Sequence, residues 1–165
     1  MHPETNSGVI AAREACESDR AGLRLDYRMQ LKATPEDVRK ALGELCEAVR
    51  PLGLPAELTG TVELVLAEVL NNIVEHAYAG ANAGHIDLRA RYMDSGFRFE
   101  ITDEGSEMPG GMLPVGEHVD LDTDLNALPE GGFGWYLIHD LTENLQYHRA
   151  SGRNQLRFTI RNKRE

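Results

Sequence analysis

The chain has 165 residues and a formal net charge of −10 at pH 7. This length suits one domain with a substantial core, and the acidic balance argues against direct nucleic-acid binding, which needs clustered Lys and Arg. The two cysteines, Cys16 and Cys46, show no metal-binding spacing, and no apolar run reaches the length of a membrane span. We therefore expect a soluble cytoplasmic protein with reduced thiols that binds neither nucleic acid nor a membrane.

The first part of the chain divides into a tail and a strand. Residues 1–21 mix Pro, Gly, Ser and charged residues without a sustained period, which predicts a flexible N-terminal arm. The folded domain is then expected to span residues 22–165. Apolar and polar residues alternate over residues 23–32, as in a strand with one buried face.

Two helices are predicted next. Thr34 supplies an N-cap and Pro35 the first helical position, so a helix should run to about Val49. Prolines at 51 and 55 interrupt the pattern. A longer helix is expected from about Ala56 to a glycine stop near Gly80.

The rest of the chain predicts two hairpins around a long loop and a helix. Alternating runs over residues 86–102 form the first hairpin, and residues 104–131 form the loop. A helix over about residues 133–143 and a hairpin over residues 145–160 follow. The order predicts an α+β fold, a two-layer α/β sandwich with a mixed, mostly antiparallel sheet and helices on one face.

The long helix carries polar residues on an otherwise apolar pattern. From Thr61 to Val74 apolar residues recur at spacings of three and four, as on a helix face packed on a core. Glu68, Asn72 and His76 follow at i, i+4 and i+8, so we expect them to share one face. A carboxylate and an amide oxygen one turn apart can hold hydrated Mg²⁺ or orient a proton acceptor. The alternative is a solvated polar stripe.

Two glycine motifs give this face a possible ligand. Asp103 and Gly105 end the predicted second strand of the hairpin, where a carboxylate can accept a hydrogen bond from an exocyclic amine while a ring stacks nearby. Gly131, Gly132 and Gly134 precede the last helix, whose exposed N–H groups and dipole favour a phosphate. Taken separately, the first motif is also typical of an ordinary turn and the second of an N-terminal helical turn.

In series these motifs resemble the nucleotide-binding boxes of the GHKL ATPase superfamily. The segment LAEVLNNIVEHAY is similar to its N box, DEG to its G1 box and GGFGWYLI to its G2 box, and the resemblance covers residues 24–161. Within the superfamily the short chain and these segments resemble the anti-sigma-factor serine/threonine-protein kinases of bacterial partner-switching systems. The resemblance implies a Bergerat ATP-binding fold in which residues 104–131 are an ATP lid.

The resemblance also implies residue roles, with ATP and Mg²⁺ as the cofactors. Asn72 would bind Mg²⁺, and Glu68 would be the catalytic base that accepts the proton of a Ser or Thr hydroxyl. Asp103 would bind the adenine amino group, with Gly105 allowing close approach, and His76 would pack or hydrogen-bond near the nucleotide. The main chain that would cradle the phosphates is that of Gly131, Gly132, Phe133 and Gly134.

The function implied is an ATP-dependent serine/threonine-protein kinase and anti-sigma factor. Its partners would be a STAS-type anti-sigma antagonist, which it phosphorylates, and a sigma factor, and the protein would form a homodimer. The alternatives are a nucleotide-gated partner-binding module and a detached histidine-kinase-like ATPase domain. The module is favoured by the loop, because all charged residues within residues 104–130 are acidic and oppose a polyphosphate.

Overall fold

The computed structural model describes residues 10–19, 22–80, 84–93, 96–116 and 132–163. Its strands form one sheet in the order β1-β2-β3-β4-β6-β5, and every pairing between described strands is antiparallel. The strands are β1 (Ile10–Asp19), β2 (Gly22–Lys32), β3 (His85–Met93), β4 (Gly96–Asp103), β5 (Glu143–Ala150) and β6 (Arg153–Arg161).

Helices cover one face of this sheet. They are α1 (Pro35–Val49), α2 (Ala56–Asn72) and α3 (Gly132–Leu141), and a π-helical turn, Ile73–Ala77, extends α2. Alternate residues of β3 and β6 are buried, so one side of each strand faces the helices and the other faces solvent. The predicted two-layer α+β fold is confirmed, and the sheet is antiparallel where described rather than mixed.

The core between the two layers is apolar and partly aromatic. Val65 and Leu66 of α2 are fully buried and face a row of rings on β4 and β6. Phe99 lies between Phe97 and Phe158, with ring centroids 5.6 Å and 5.2 Å apart. Burying each such side chain stabilises the fold by about 1.5–3 kcal/mol, which holds α2 against the sheet.

The start of α1 follows the local prediction. Thr34 has extended backbone angles, and its hydroxyl accepts a hydrogen bond from the Asp37 amide at 3.2 Å. Pro35 takes the first helical position, where a missing N–H has no consequence. The predicted end at Val49 is also confirmed.

The second helix differs from its prediction near its end. Regular α-helix stops at Asn72, and the Tyr78 amide donates to the Ile73 carbonyl five residues back. The wider π turn begins directly after Asn72 and contains His76, and both residues line the same cavity. Such turns often occur at functional sites, and this one borders the cavity described below.

The N-terminal segment is a second difference. The prediction of a flexible arm over residues 1–21 is wrong for Ile10–Asp19, which pairs with β2 as an edge strand. Its sequence contains small apolar residues rather than a row of large ones, so the alternating signal is weak, while the pairing uses backbone groups. The boundary at residue 22 stays a prediction.

The C-terminal elements match their predictions closely. The predicted helix over 133–143 is α3, and the predicted hairpin over 145–160 is β5 and β6. Residues 104–116 of the long loop are described and include a single 3-10 turn, Pro109–Gly111, while residues 117–131 lie outside the described ranges. None of the described helices has the length and apolarity needed to span a membrane.

Candidate nucleotide site

A cavity of about 430 Å³ lies between the end of α2, the sheet and the start of the long loop. Asn72 and His76 line it from the helix, Asp103 and Asn154 from the sheet, and Trp135 from α3. The residues predicted for a nucleotide site on the helix and on the strand therefore meet at one concave surface. A cavity of this size with a few polar groups is typical of a small-molecule site.

Asp103 is the buried acid of this cavity. Its side chain is 5% exposed, and Oδ1 accepts hydrogen bonds from the Gly105 amide at 2.9 Å and from Asn154 Nδ2 at 2.8 Å. Burial raises the pKa of Asp103 above its ordinary value, while these hydrogen bonds and the nearby Arg149 act in the opposite direction. Within the described residues Oδ2 accepts no hydrogen bond, so a ligand N–H can use it.

Gly105 has a different role from the predicted one. A Cβ at this position would lie 2.5 Å from the Ala77 carbonyl oxygen, and the Ser106 amide donates to that same oxygen at 2.7 Å. The glycine therefore lets the chain leaving β4 pack against the π turn. Gly105 is not part of the cavity wall, so its close approach is to protein backbone.

Asn72 is the unsatisfied polar group of the cavity. Its Nδ2 is buried and has no hydrogen-bond partner within the described residues. An uncompensated buried amide costs about 1–3 kcal/mol, which a ligand oxygen would offset. The amide can also turn to present Oδ1 instead, and an oxygen donor is what Mg²⁺ requires. The residue present therefore fits a magnesium nucleotide.

Glu68 and Gly134 meet beside Asn72. A Cβ on Gly134 would lie 2.5 Å from Glu68 Oε2 and 3.9 Å from Asn72 Nδ2. The first turn of α3 thus lies directly against the carboxylate, and any side chain larger than that of glycine would displace the carboxylate. Glu68 is half-buried and does not line the cavity, so it stands next to the cavity at the Asn72 end.

The other predicted site residues differ in whether they line the cavity. His76 lines the cavity, but its side chain is 66% exposed and its Nε2 is 4.0 Å from Glu75. Phe133 is 39% exposed, stacks against Tyr136 and does not line the cavity. Gly132 is the first residue of α3, whereas Gly131 lies outside the described residues.

Several residues that line the cavity were not among the predicted site residues. Trp135 is 8% exposed and contributes an aromatic wall, and Met108 contributes a flexible apolar one. Tyr147 and Asn154 approach from β5 and β6. The alternation of β5 and β6 indicates which of their residues face inward, but not that this end of the sheet opens into a cavity.

The described start of the loop brings acidic groups to the site. Glu107 lines the cavity, and Glu104 lies 3.5 Å from Arg153. The loop then turns back to α3, where His139 Nε2 is 2.7 Å from the Pro114 carbonyl oxygen. A phosphate chain in this cavity would therefore share it with the carboxylates of Glu107 and Asp103, which favours a magnesium-bound form of the phosphates.

Comparison with known proteins agrees with this geometry. The family model described as the histidine kinase-like ATPase domain matches residues 31–160. The chain belongs to that family. The resemblance inferred from the sequence motifs is thus confirmed at the level of the family. Of the residues predicted for the site, Asn72, His76 and Asp103 line the cavity.

Curated relatives of this family member are serine-protein kinases. The chain is 24% identical over 131 residues to the serine-protein kinase RsbW of Bacillus velezensis, covering 78% of this chain and 81% of that protein. It is 26% identical over 133 residues to the RsbW of Listeria monocytogenes, covering 75% and 80% respectively.

A solved structure shows the same fold. The RsbU and RsbW domains of Rv1364c from Mycobacterium tuberculosis match with a TM-score of 0.56 and 18% identity, over 84% of this chain. The matched region is 33% of that longer chain, so the chain corresponds to about a third of it.

Proposed function

We propose that this protein is an ATP-dependent serine/threonine-protein kinase and anti-sigma factor that phosphorylates a STAS-type anti-sigma antagonist. The observation that carries the proposal is the adjacency of three groups at one end of the cavity. Glu68, Asn72 and Gly134 meet there, and the buried Asp103 lines the same cavity from the sheet. The base would bind at the end beside Asp103, and the phosphates and the proton acceptor at the end beside Asn72 and Glu68.

The base end is suited to adenine. Asp103 Oδ2 is available to accept a hydrogen bond from an exocyclic amino group. The apolar walls contributed by Ile73, Met108 and Trp135 suit the faces of a planar ring. A carbonyl in place of the amino group would face a carboxylate and be disfavoured.

The phosphate end is suited to magnesium-bound phosphates. Asn72 would hold Mg²⁺ through its amide oxygen, and the first turn of α3 around Gly134 would provide main-chain N–H groups. When bound, Mg²⁺ would neutralise charge on the phosphate oxygens. The acidic Glu107, which also lines the cavity, makes that neutralisation more important for binding.

Glu68 would act as the general base. In the transfer, the partner's Ser Oγ forms a bond to the γ-phosphorus, and the bond from that phosphorus to the β,γ-bridging oxygen breaks. ADP leaves with the bonding electrons, and the hydroxyl proton passes to the Glu68 carboxylate. The place of Glu68 beside the phosphate end, rather than inside the cavity, is where an incoming hydroxyl from another protein would arrive.

The partner class is proposed from the relatives. Both curated relatives are named serine-protein kinases, so the acceptor proposed is a Ser or Thr on a protein. Sigma-factor binding and a homodimer are proposed on the same family resemblance.

The test is transfer of radiolabelled γ-phosphate from Mg-ATP to a STAS-type protein encoded beside this chain. We expect transfer to a Ser or Thr, and expect Glu68→Gln to lower its rate by about 10²- to 10⁴-fold with nucleotide binding largely kept. Glu63→Gln is the matched control, because Glu63 is an exposed residue of the same helix. Phosphate on His instead of Ser or Thr would favour the detached histidine-kinase-like domain.

A second candidate is a nucleotide-gated binding module without catalysis. The acidic lining favours it, since Glu107 opposes a phosphate chain and residues 104–130 supply no Lys or Arg. Nucleotide binding without transfer to any candidate partner would select this candidate. If Asp103→Asn left nucleotide binding unchanged, the placement of the base end would be wrong for both candidates.

A further inference from the structure

Asn154 occupies the strand position directly opposite Asp103. The two are register partners on β6 and β4, and each is 5% exposed. Asn154 Nδ2 donates to Asp103 Oδ1 at 2.8 Å and to the Ser106 carbonyl at 2.9 Å. One amide nitrogen therefore holds both the cavity's acid and the first part of the loop.

Two neighbours fix the direction of this amide. Asn154 Oδ1 lies 2.7 Å from Arg149 Nη1 and 2.6 Å from the Tyr147 hydroxyl. A guanidinium can only donate, so the oxygen must face Arg149 and the nitrogen must face Asp103. The side chains of Tyr147 and Arg149 on β5 thus fix the orientation of the Asn154 amide.

The same network determines which oxygen of Asp103 is available. Oδ1 accepts from Asn154 and from the Gly105 amide, while Oδ2 carries no hydrogen bond from the described residues. If Asn154 were absent, only the Gly105 amide would hold Oδ1, and the carboxylate would be less constrained about its last torsion.

Tyr147 extends the network to the wall of the cavity. Its hydroxyl donates to Asn154 Oδ1 and accepts a hydrogen bond from the Met108 amide at 3.2 Å. Arg149 Nη1 also donates to the Gly105 carbonyl at 3.0 Å. The chain from Gly105 to Met108 is therefore tied to the sheet through side chains of β5 and β6.

We propose that Asn154 and Tyr147 are positioning residues that set base selectivity: Asn154 directs Asp103 Oδ2 towards an amino group, and Tyr147 holds the Met108 wall over the same base. This inference rests on the proposed function, because it takes the ligand to be an adenine nucleotide. It assigns the selectivity to two residues that act through Asp103 and Met108.

The experiment compares binding of Mg-ADP and Mg-IDP by calorimetry, since inosine has a carbonyl where adenine has an amino group. We expect the unmodified chain to prefer ADP. Asn154→Ala should weaken ADP binding by about 10- to 100-fold, as for the loss of a hydrogen bond to a charged group. The ratio of the affinities for ADP and IDP, called the ADP-to-IDP ratio below, should then be close to one. Gln155→Ala is the matched control, because Gln155 is the next residue of β6, where buried and more exposed positions alternate, and should keep the ratio.

Tyr147→Phe is the second variant, because it removes one oxygen from a half-buried side chain and should fold even where Asn154→Ala does not. We expect it to lower the ADP-to-IDP ratio and to speed hydrogen exchange at the Met108 amide. A purely structural role would lower stability but leave the ratio unchanged.

The outcomes separate this inference from the function on which it rests. If the unmodified chain binds neither nucleotide, the proposed function fails and this inference with it. If the unmodified chain binds ADP selectively and both variants keep the same ratio of affinities for ADP and IDP, the inference alone is overturned. An unchanged exchange rate at Met108 in Tyr147→Phe would likewise overturn the role of Tyr147.

Discussion

Gly134 of α3 lies against the carboxylate of Glu68 on α2, so close that a Cβ on the glycine would stand 2.5 Å from Oε2. Two residues from different sequence motifs, 66 positions apart in the chain, therefore share one small volume. The position of the proposed base depends on the absence of a side chain at the start of the following helix.

Gly134→Ala should separate catalysis from stability. The new methyl group meets the far end of the flexible Glu68 side chain, which can swing away at little cost, while Ala favours a helix by up to about 1 kcal/mol over Gly. We expect a fold as stable as the original but at least about 10-fold slower phosphoryl transfer, measured by urea unfolding and by radiolabel transfer.

Gly60→Ala is the control for that substitution. Gly60 lies within α2, and a Cβ there has no atom within 4 Å. Its variant should gain stability without any change in transfer rate. Equal transfer rates in the two variants would contradict the importance of the Glu68 contact.

Gly105→Ala should instead be destabilising. Its Cβ would meet the Ala77 carbonyl oxygen at 2.5 Å and the Ala77 Cβ at 2.7 Å, and backbone cannot move aside as a long side chain can. We expect a loss of about 1–3 kcal/mol in the free energy of unfolding, measured in urea. A variant as stable as the original would show that the π turn does not need this close approach.

The salt bridge between Asp26 and Arg89 should make stability depend on pH. Arg89 Nε and Nη2 donate to the two carboxylate oxygens at 2.9 Å and 2.6 Å, and these hydrogen bonds lower the pKa of Asp26 below 3.8. The folded state then binds the Asp26 proton less readily than the unfolded state, so the stabilisation is present above pH 3.8 and is lost as the pH falls through the lower, folded-state pKa.

Asp26→Asn measures this contribution. Because both side chains are partly exposed, we expect a loss of only about 0.5–1 kcal/mol at neutral pH. The difference from the original protein should close as the pH falls below about 4. A difference that stayed constant down to about pH 2 would contradict the assignment.

Arg91 and Arg98 offer a stabilising substitution on the same open face of the sheet. They are register partners on β3 and β4, and like charges directly opposite each other destabilise a strand pair. Arg98→Glu should raise the free energy of unfolding by about 0.5–1 kcal/mol at low salt, and the gain should shrink at about 1 M salt. Arg98→Gln, which only removes the repulsion, should gain less.

Local signals predicted the elements well because they depend on neighbouring residues. The Thr34 cap and the Pro35 start of α1 involve residues no more than three positions apart. The π turn after Asn72 could not be predicted in this way, because it packs against Gly105, which arrives from β4. The edge strand Ile10–Asp19 was missed because backbone pairing needs no marked apolar pattern.

The site was predicted in parts rather than as an assembly. Asn72 and Asp103 were identified from motifs, and both line the cavity. The role of Asn154 depends on its register with Asp103, a residue 51 positions away on the neighbouring strand, and no short motif records such a pairing. Phe133 was assigned to the site from its place among the glycines, yet on α3 it lies outside the cavity wall beside Tyr136.

The two ends of the cavity differ in rigidity. Asp103 and Asn154 are register partners on adjacent, hydrogen-bonded strands. The carboxylate of Glu68, in contrast, is at the end of a flexible side chain beside Gly134. A bound nucleotide would therefore be held rigidly at its base, while the Glu68 carboxylate beside its terminal phosphate could change position. We therefore expect changes in sequence near α3 to alter the rate of the proposed phosphoryl transfer without changing which nucleotide is recognised.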